Sequence, residues 1–473
     1  MGLNLAKLSG GTTAISQEML DALKARVRGI VLTDHDEGYD AARSVWNGMI
    51  DRRPGIIVRC AGAADVMAAV DFARETGAVL SVRGGGHNIA GSAVCDNGVM
   101  VDLSPTKSVR IDPFARTARV EPGVTLGEFD REAQSFGLVT PTGINSTTGI
   151  AGLTLGGGFG WISRKFGLTA DNLISTDVVT ADGQLVRASE AESPDLFWAI
   201  RGGGGNFGVV TSFEFRLHRL GPEVMSGLIV YPLSQATDML KRYREIMAAA
   251  PDEVSCWFVM RSAPPLPFLP QKVHGTGIIA FAACYAGPMD AAEVAMKPLR
   301  EMGQPIADVI GLHPFAGWQA VHDPLLTPGA RNYWKSHSFT TLNDGAIATL
   351  VEYAGKLPSP ECELACAQLG GAINRVSAKA TAYPHRDIGF VLNIHTRWRE
   401  PADDAECIAW ARSLFESCKP YATGGVYVNF MPEEEKDRVA SAYLGNSERL
   451  AAIKAKYDPH NLFRMNQNIR PTP

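Results

Sequence analysis

Three glycine-rich segments, the first ending in a histidine, are the part of the sequence best suited to chemistry. Arg83-Gly84-Gly85-Gly86-His87-Asn88 follows a short apolar run, and two more clusters span residues 143–167 and 202–208. Because glycine has no Cβ, such turns expose several backbone N–H groups in one concave nest, which binds phosphate without lysine. A flexible turn with an incidental histidine is the alternative. The presence of three such clusters favours the nest.

The string Gly203-x-Gly205-x-x-Gly208 matches the dinucleotide-binding fingerprint in its letters only. That fingerprint lies between a strand and a helix, with an acidic residue about 20 positions later. Here a β-branched run over residues 209–217 follows directly and predicts a strand instead. A Walker phosphate-binding motif is also absent from the sequence. A Rossmann-type NAD site and nucleoside triphosphate hydrolysis are therefore both disfavoured.

The composition is that of a globular protein with a large core. The chain has 473 residues, 45% of them hydrophobic and 20% charged, which predicts either two domains or one large composite domain. A net charge of −5 without a basic stripe argues against nucleic-acid binding. No apolar run reaches the length of a membrane span, and the N-terminus lacks the apolar stretch of a signal peptide. The eight cysteines form no CxxC pair, so we expect small buried thiols, no metal site and a cytoplasmic protein.

Hydrophobic patterning predicts different structures for the regions that contain the glycine segments and for the centre of the chain. A predicted strand over residues 79–82 runs directly into Gly84. After Pro222 glycine becomes less frequent, and long helices alternate with strands, which indicates an antiparallel sheet. The tail begins with a predicted strand over residues 426–430. We therefore expect an α+β protein with a discontinuous first domain, 1–221 plus 425–473, and a second domain over 222–424.

Four motifs occur in order along the chain: residues 82–88 (VRGGGHN), 148–160 (TGIAGLTLGGGFG), 201–210 (RGGGGNFGVV), and 457–459 (YDP) with 463–469 (FRMNQNI). Together they resemble the berberine-bridge-enzyme-like branch of the FAD-linked oxidases, with the vanillyl-alcohol-oxidase or PCMH-type FAD-binding fold. Within this branch, the sequence resembles most strongly the bacterial members that are similar to 6-hydroxy-D-nicotine oxidase. The resemblance implies FAD as the cofactor, bound by the first domain, and an antiparallel-sheet domain that covers the substrate.

The resemblance also implies how FAD is held. The His87 ring is expected to be bonded to the 8α-methyl group of FAD. Many relatives carry a second bond from a cysteine, but the matching position here is Asn145, so we expect one covalent link. The pyrophosphate is expected at residues 84–86 and 147–152, the adenine end at 208–210, and the ring edge near the C-terminus. The other expected cofactor residues are Arg83, Gly84, Gly85, Gly86, Asn88, Thr147, Thr148, Gly149, Gly152, Gly156, Gly157, Gly158, Gly208, Val209, Val210, Tyr427, Asn429, Asn466 and Asn468.

Three residues are the expected catalytic groups. Tyr427 lies in a segment, Tyr427-Val428-Asn429-Phe430, that resembles a family strand whose first tyrosine lies over the flavin. A phenol has a pKa near 10, so Tyr427 needs nearby cations or flavin dipoles to act as a base, and a core tyrosine is the alternative. Gln368 is the one strongly polar member of a predicted strand face shared with two apolar residues. Asn374 follows that strand after a glycine pair.

Two further segments have weaker indications of a role. Tyr333, Trp334 and Lys335 precede a predicted strand, where they supply either an aromatic wall for the substrate or ordinary packing. His385 lies in an aromatic-Pro-His-Arg segment that resembles a structural element of the family more than a catalytic one.

These observations predict an FAD-dependent oxidase. It would take a hydride from an alcohol or amine carbon of a small or medium-sized organic molecule and pass the electrons to O₂, giving hydrogen peroxide. The alternatives are a flavin dehydrogenase with another acceptor, a monooxygenase of secondary metabolism, and a non-catalytic flavoprotein that binds a metabolite. The sequence leaves the substrate and the oligomeric state open.

Overall fold

The computed structural model describes residues 3–472 and confirms the expected α+β class. The α-helices are Gln17–Arg26, Tyr39–Arg43, Ala63–Thr76, Leu126–Gln134, Ile150–Leu155, Ser163–Phe166, Pro194–Ile200, Ala236–Ala249, Ala292–Arg300, Phe315–Gln319, Asp344–Ala354, Ala372–Arg375, Asp404–Cys418, Val439–Tyr443 and Ser447–Tyr457. The eight cysteines are free and buried. Within residues 3–472, no helix has the length and apolar character needed to cross a bilayer.

A small mixed sheet carries the first glycine segment. Its strand order is Ile30–Leu32, Ile56–Arg59, Val99–Asp102 and Leu80–Arg83, and the last three strands are parallel. Parallel strands require a crossover, which is supplied by the helix Ala63–Thr76. The turn Gly84–Gly86 therefore leaves the carboxyl end of a parallel strand, as the apolar run before it predicts.

A five-stranded antiparallel sheet carries the third glycine segment. Its order is Leu185–Ser189, Leu173–Val179, Val209–Arg216, Thr117–Val120 and Val109–Asp112. The strand that begins at Val209 directly follows Gly208, so the expected strand is confirmed where a Rossmann fingerprint would need a helix. Two short ribbons complete this part of the chain: Leu3–Ala6 with Thr12–Ile15, and Leu138–Val139 with His218–Arg219.

The large antiparallel sheet has one face under helices and the other toward the glycine segments. Its order is Ala307–Asp308, Glu223–Pro232, Gly277–Tyr285, Val254–Ser262, Glu363–Gln368, Phe390–Trp398 and Arg331–Phe339, with Gly311–Pro314 also paired to Glu223–Pro232. Leu364, Cys366 and Leu392 lie in one core with the helices above them. Ala367 and Val391 point the other way, into a core that they share with Tyr427. This two-sided packing decides which strand residues face the site.

The expected strand over residues 426–430 is wrong. Tyr427 is extended, but Val428–Phe430 forms a 3₁₀ turn in which the Phe430 N–H donates to the Tyr427 carbonyl at 3.0 Å. The turn brings the Asn429 amide back to the Tyr427 hydroxyl, at 3.0 Å. A local hydrogen bond therefore replaces the strand pairing that the β-branched and aromatic residues suggest.

A buried carboxyl lies where helices Leu126–Gln134 and Phe315–Gln319 meet. The Gln319 amide donates to Asp130 Oδ2 at 3.1 Å, and burial raises the pKa of Asp130 to about 7. The unfolded value is about 3.9, so the folded state binds more protons between those two values. We expect wild-type stability to fall as pH rises from about 4 to about 7 and then level off.

An Asp130→Asn variant should lack this pH dependence. It should match the wild type near pH 4 and be more stable above pH 7, by up to about 4 kcal/mol. Thermal unfolding across that pH range measures the difference. Asp238→Asn, at an exposed carboxylate, is the control. Parallel stability curves for wild type and Asp130→Asn would contradict the expectation.

Candidate active site

One cavity of about 350 Å³ lies between the glycine segments and the inner face of the large sheet. Its volume is in the range of small-molecule sites. All three glycine segments contribute to its wall. The expected cofactor residues that line it are Gly84, Gly85, Gly86, His87, Asn88, Asn145, Thr148, Gly149, Gly152, Gly208, Val209, Val210, Tyr427, Asn429 and Asn466.

Two glycine segments touch each other backbone to backbone. A Cβ on Gly149 would lie 2.5 Å from Gly85 N, and a Cβ on Gly85 would collide with Gly149 N in return. Gly152, one helical turn further on, has no atom within 4 Å of its Cβ position and faces the cavity. Among residues 3–472, no lysine or arginine lines this wall. The surface fits a cofactor such as FAD, whose pyrophosphate would be held by backbone amides alone.

His87 is fixed by a short hydrogen-bond chain. Thr147 Oγ1 donates to Asn145 Oδ1 at 2.7 Å, so it accepts a hydrogen bond from His87 Nε2–H at 2.9 Å. The ring stacks on Trp46 with centroids 4.9 Å apart and planes 21° apart. Burial lowers the pKa of His87 to about 4. The ring is therefore neutral near pH 7, with its proton on Nε2 and its lone pair on Nδ1.

Several of the expected cofactor residues lie outside the cavity wall. Arg83 donates to the Ala42 carbonyl and lies beside Asp102, because it is the last residue of a buried strand. Thr147 reaches the cavity wall through His87 and Asn145, and Asn468 does not line the cavity. Arg83 and Thr147 therefore support the wall from behind.

The Gly156–Gly158 turn, expected on the cofactor, receives side chains of other segments instead. Cβ positions on Gly156, Gly157 and Gly158 would meet Asn429, Tyr383 and Thr169 respectively. The Gly158 N–H donates to the Tyr427 hydroxyl at 3.2 Å. The absence of side chains here lets the tail pack closely against this turn.

Tyr427 is buried in an aromatic cluster at the cavity wall. Its ring centroid lies 4.7 Å from that of Phe159 and 4.9 Å from that of Phe430. The hydroxyl accepts from Gly158 N and Asn429 Nδ2, and burial raises the pKa of Tyr427 to about 12. None of the causes of this shift is a cation, so the phenol stays protonated. Tyr427 is thus suited to donating a hydrogen bond and unsuited to acting as a base.

The two other expected catalytic residues lie away from the cavity. Gln368 donates to the Met247 carbonyl of an overlying helix at 3.2 Å, on the face that packs under the helices. Asn374 donates to the Ile388 carbonyl at 2.9 Å in a helical turn beyond the strand. The alternation of side chains along the strand correctly grouped Gln368 with two apolar residues on one face. That face, however, is turned away from the cavity.

The opposite face of the same strand supplies residues that the sequence reasoning missed. Glu363, Ala365 and Ala367 line the cavity, together with Asn393 and His395 of the neighbouring strand. Glu363 and His395 are hydrogen-bonded at 3.1 Å. The alternation of Asn393, His395 and Arg397 in a strand that is apolar elsewhere except at Thr396 was the signal that would have found them.

Of the two segments with weaker indications of a role, one contributes a residue to the cavity wall, and the remaining residues have packing roles. Trp334 lines the cavity, whereas Tyr333 bonds to Glu434 and Lys335 pairs with Glu435 on the other side of the sheet. His385 is buried and bonds through Nε2 to the Ala442 carbonyl at 3.0 Å, outside the cavity wall.

Comparisons with known proteins bear on this cavity. Family models described as "FAD binding domain" and "Berberine and berberine like" match residues 54–189 and 426–470. An FAD-linked oxidoreductase of Bacillus subtilis is 31% identical over 458 residues, covering 95% of this chain and 98% of that protein. (R)-6-hydroxynicotine oxidase of Paenarthrobacter nicotinovorans is 31% identical, covering 94% and 97%.

A solved structure extends the likeness to the fold. The crystal structure of 6-hydroxy-D-nicotine oxidase from Arthrobacter nicotinovorans matches with a TM-score of 0.85 and 30% identity, over 94% of this chain and 98% of that one. The matches span both the glycine segments and the large sheet. The chain is an FAD-dependent oxidoreductase and belongs to the berberine-bridge-enzyme-like family, with the PCMH-type FAD-binding fold.

Proposed function

We propose that this protein is an oxidase that carries one FAD on His87 and oxidises an alcohol or amine carbon of a small or medium-sized organic molecule. The proposal rests on the His87 imidazole, a neutral ring with its lone pair on Nδ1, at the wall of a cavity that continues under the large sheet. Held by these residues, FAD would supply the hydride acceptor for the substrate and, in an oxidase, the route of the electrons to O₂, with hydrogen peroxide as the product.

Two regions of the chain would have different tasks, one binding FAD and the other contacting the substrate. Residues 1–221 and 425–473 would hold FAD through the Gly84–Gly86 turn, the 147–152 segment and the 208–210 backbone. Residues 222–424 would supply the substrate wall. Asn145 bonds Thr147 and is not a thiol, which supports a single covalent link.

Tyr427 would orient a ligand by hydrogen bonding. Its phenol stays protonated, and its oxygen already accepts two hydrogen bonds, so its own hydrogen is available for donation. Asn429 and Gly158 would hold that oxygen in place. This assignment replaces the base role that the sequence suggested.

The test is an anaerobic screen of the purified yellow protein against alcohols, sugars and cyclic amines. Loss of the flavin absorption band identifies a substrate, and peroxide release on admitting air identifies an oxidase. Reduction by a substrate with reoxidation only by quinones or dyes would instead mean a dehydrogenase. An oxygenated product would mean a monooxygenase. Bleaching by no compound in the screen would count against an enzyme and favour a metabolite-binding protein.

A further inference from the structure

Three buried polar atoms on the sheet side of the cavity have no hydrogen-bond partner among the described residues. They are Trp257 Nε1, Trp334 Nε1 and Asn393 Oδ1. Buried polar atoms in native proteins are nearly always hydrogen-bonded, so a group of them at one wall indicates that a bound molecule supplies the partner. Asn393 has the strongest requirement, because its amide carries two N–H donors as well as the acceptor.

The side chain of Asn393 faces the cavity without bonding to any described residue. It is 8% exposed in a strand whose residues are all buried, and it lines the cavity. Its register neighbours are Ala365, which has no polar side-chain atom, and Ser336, whose hydroxyl is buried without a bond of its own. Within residues 3–472, neither the oxygen nor the nitrogen of this amide has a hydrogen-bond partner. The amide is therefore free to bind a ligand.

The next row of side chains on the same face is closed by its own contacts. It crosses four adjacent strands in register and consists of Arg261, Glu363, His395 and Trp334. Arg261 donates to Glu363 Oε2 at 2.6 Å, and Glu363 Oε1 lies 3.1 Å from His395 Nδ1. His395 Nε2 lies 3.2 Å from Asn332 Oδ1, so both ring nitrogens are directed at protein atoms. This row offers a ligand no free ring nitrogen, and its carboxylate is already paired.

Small apolar side chains lie beside Asn393 on the same face of the sheet. Ala365 pairs with Asn393, and Ala367 pairs with Val391 two residues further along the strands. All four residues line the cavity. They form a flat floor with one polar group, which leaves room above it for a planar molecule.

Aromatic rings lie on both sides of this floor. Trp257 and Trp334 line the cavity from the two strands that flank the floor strands. Trp334 lies 5.6 Å from Phe430, and Trp257 lies 5.9 Å from Phe159, measured between ring centroids. Aromatic side chains pack favourably against other rings, so this lining suits a flat ring. Because the Asn393 amide is neutral, the ligand group that meets it has no need of a charge.

We propose that Asn393 orients the substrate by hydrogen-bonding the hydroxyl group of an uncharged flat ring. A hydroxyl donates to the amide oxygen or accepts from the amide nitrogen, so it pairs with either atom. The ring would lie on the floor of Ala365, Ala367 and Val391, with the carbon to be oxidised turned toward the glycine segments across the cavity. This inference rests on the proposed function, because it takes FAD to be held by those segments.

The test compares phenol with toluene as probes of the flavin-loaded protein, because the two rings differ only in carrying a hydroxyl or a methyl group. Perturbation of the flavin absorption band measures both dissociation constants. The ratio of the toluene constant to the phenol constant should fall by about 10-fold from the wild type to Asn393→Leu, whose side chain has a similar shape but no polar atom. Asn4→Leu, the same change at an exposed position outside the wall, should keep the wild-type ratio.

Thermal unfolding distinguishes a ligand-binding role of Asn393 from a structural one. Because the amide bonds to no described residue, Asn393→Leu should unfold at the wild-type temperature or above it. A lower unfolding temperature would show that the amide supports the fold, and an unchanged ratio would show that it does not bind the hydroxyl. Either result overturns the proposal, as does a wild type that binds neither probe.

The same titrations also separate the substrate from the flavin as the partner of Asn393. A shifted flavin spectrum in ligand-free Asn393→Leu, together with the wild-type ratio, would place the amide against the flavin and overturn the proposal. Neither probe has to be oxidised, so the binding result is independent of turnover. If no compound in the screen reduces the wild-type flavin, the proposed function fails, but the ratio still decides the role of Asn393.

Discussion

A His87→Ala protein is expected to release all of its FAD on acid precipitation, while the wild type keeps its flavin with the protein pellet. The reason is that His87 is the wall residue whose neutral imidazole has a free lone pair, with its pKa lowered to about 4 by burial. Flavin fluorescence of the protein band on a denaturing gel measures the attached fraction directly. The readout is independent of any substrate.

His35→Ala is the matched control, because His35 is exposed and remote from the wall. It should keep its flavin attached. Attached flavin in His87→Ala would show that another residue makes the bond. Complete release from the wild type would mean that FAD is held without a covalent link.

Thr147→Val extends this prediction to the residue that sets the tautomer. Valine keeps the shape of threonine but cannot accept the hydrogen bond from His87 Nε2–H, so the ring lone pair is no longer confined to Nδ1. We expect flavin attachment to be slowed in this variant and restored in Thr147→Ser. Attachment at the wild-type rate in Thr147→Val would show that the hydrogen bond has no part in it.

The second large effect is expected from Gly85→Ala. Its Cβ would collide with the Gly149 backbone, and neither segment can move without shifting the cavity wall. Overpacking of this kind costs about 1–3 kcal/mol. We expect a protein with a lower unfolding temperature that purifies without flavin. Calorimetry and the absorbance ratio of flavin to protein measure both effects.

Variants at two other glycines separate the loss of stability from the loss of FAD binding. Gly311→Ala has open space around its Cβ position on a peripheral strand, so it should change neither stability nor flavin content. Gly152→Ala also meets no protein atom, and a helical alanine is favoured over glycine by about 0.5–1 kcal/mol. Gly152 faces the cavity, so this variant should stay folded yet bind FAD less well. Full flavin content in Gly152→Ala would show that FAD does not lie against this position.

The part of the cavity wall that the glycine segments form was predictable from sequence because its requirements are local. A backbone that approaches another backbone needs glycine at the point of contact, as at Gly85 and Gly149, and glycine clusters are visible without knowing the fold. His87 adjoins such a cluster, and Asn145 lies within another. At Gly156–Gly158 side chains of the protein lie at the Cβ positions, and the sequence does not show whether a ligand or a side chain fills the space beside a glycine.

The part of the cavity wall that the large sheet forms was decided by tertiary structure. Alternation assigns Gln368 and Glu363 to opposite faces of one strand, but only the helices packed over the sheet determine which face is left for the cavity. Tyr427 is a further case, because burial and two donors to its oxygen, rather than its residue type, set its pKa.

The sequence by itself thus determined the family, its dependence on FAD and the glycine segments that line the cavity, since each depends on residues close together in the chain. The tertiary structure alone decided the row of Arg261, Glu363, His395 and Trp334. These residues come from four strands and become neighbours only through antiparallel register, which no local pattern in the chain specifies.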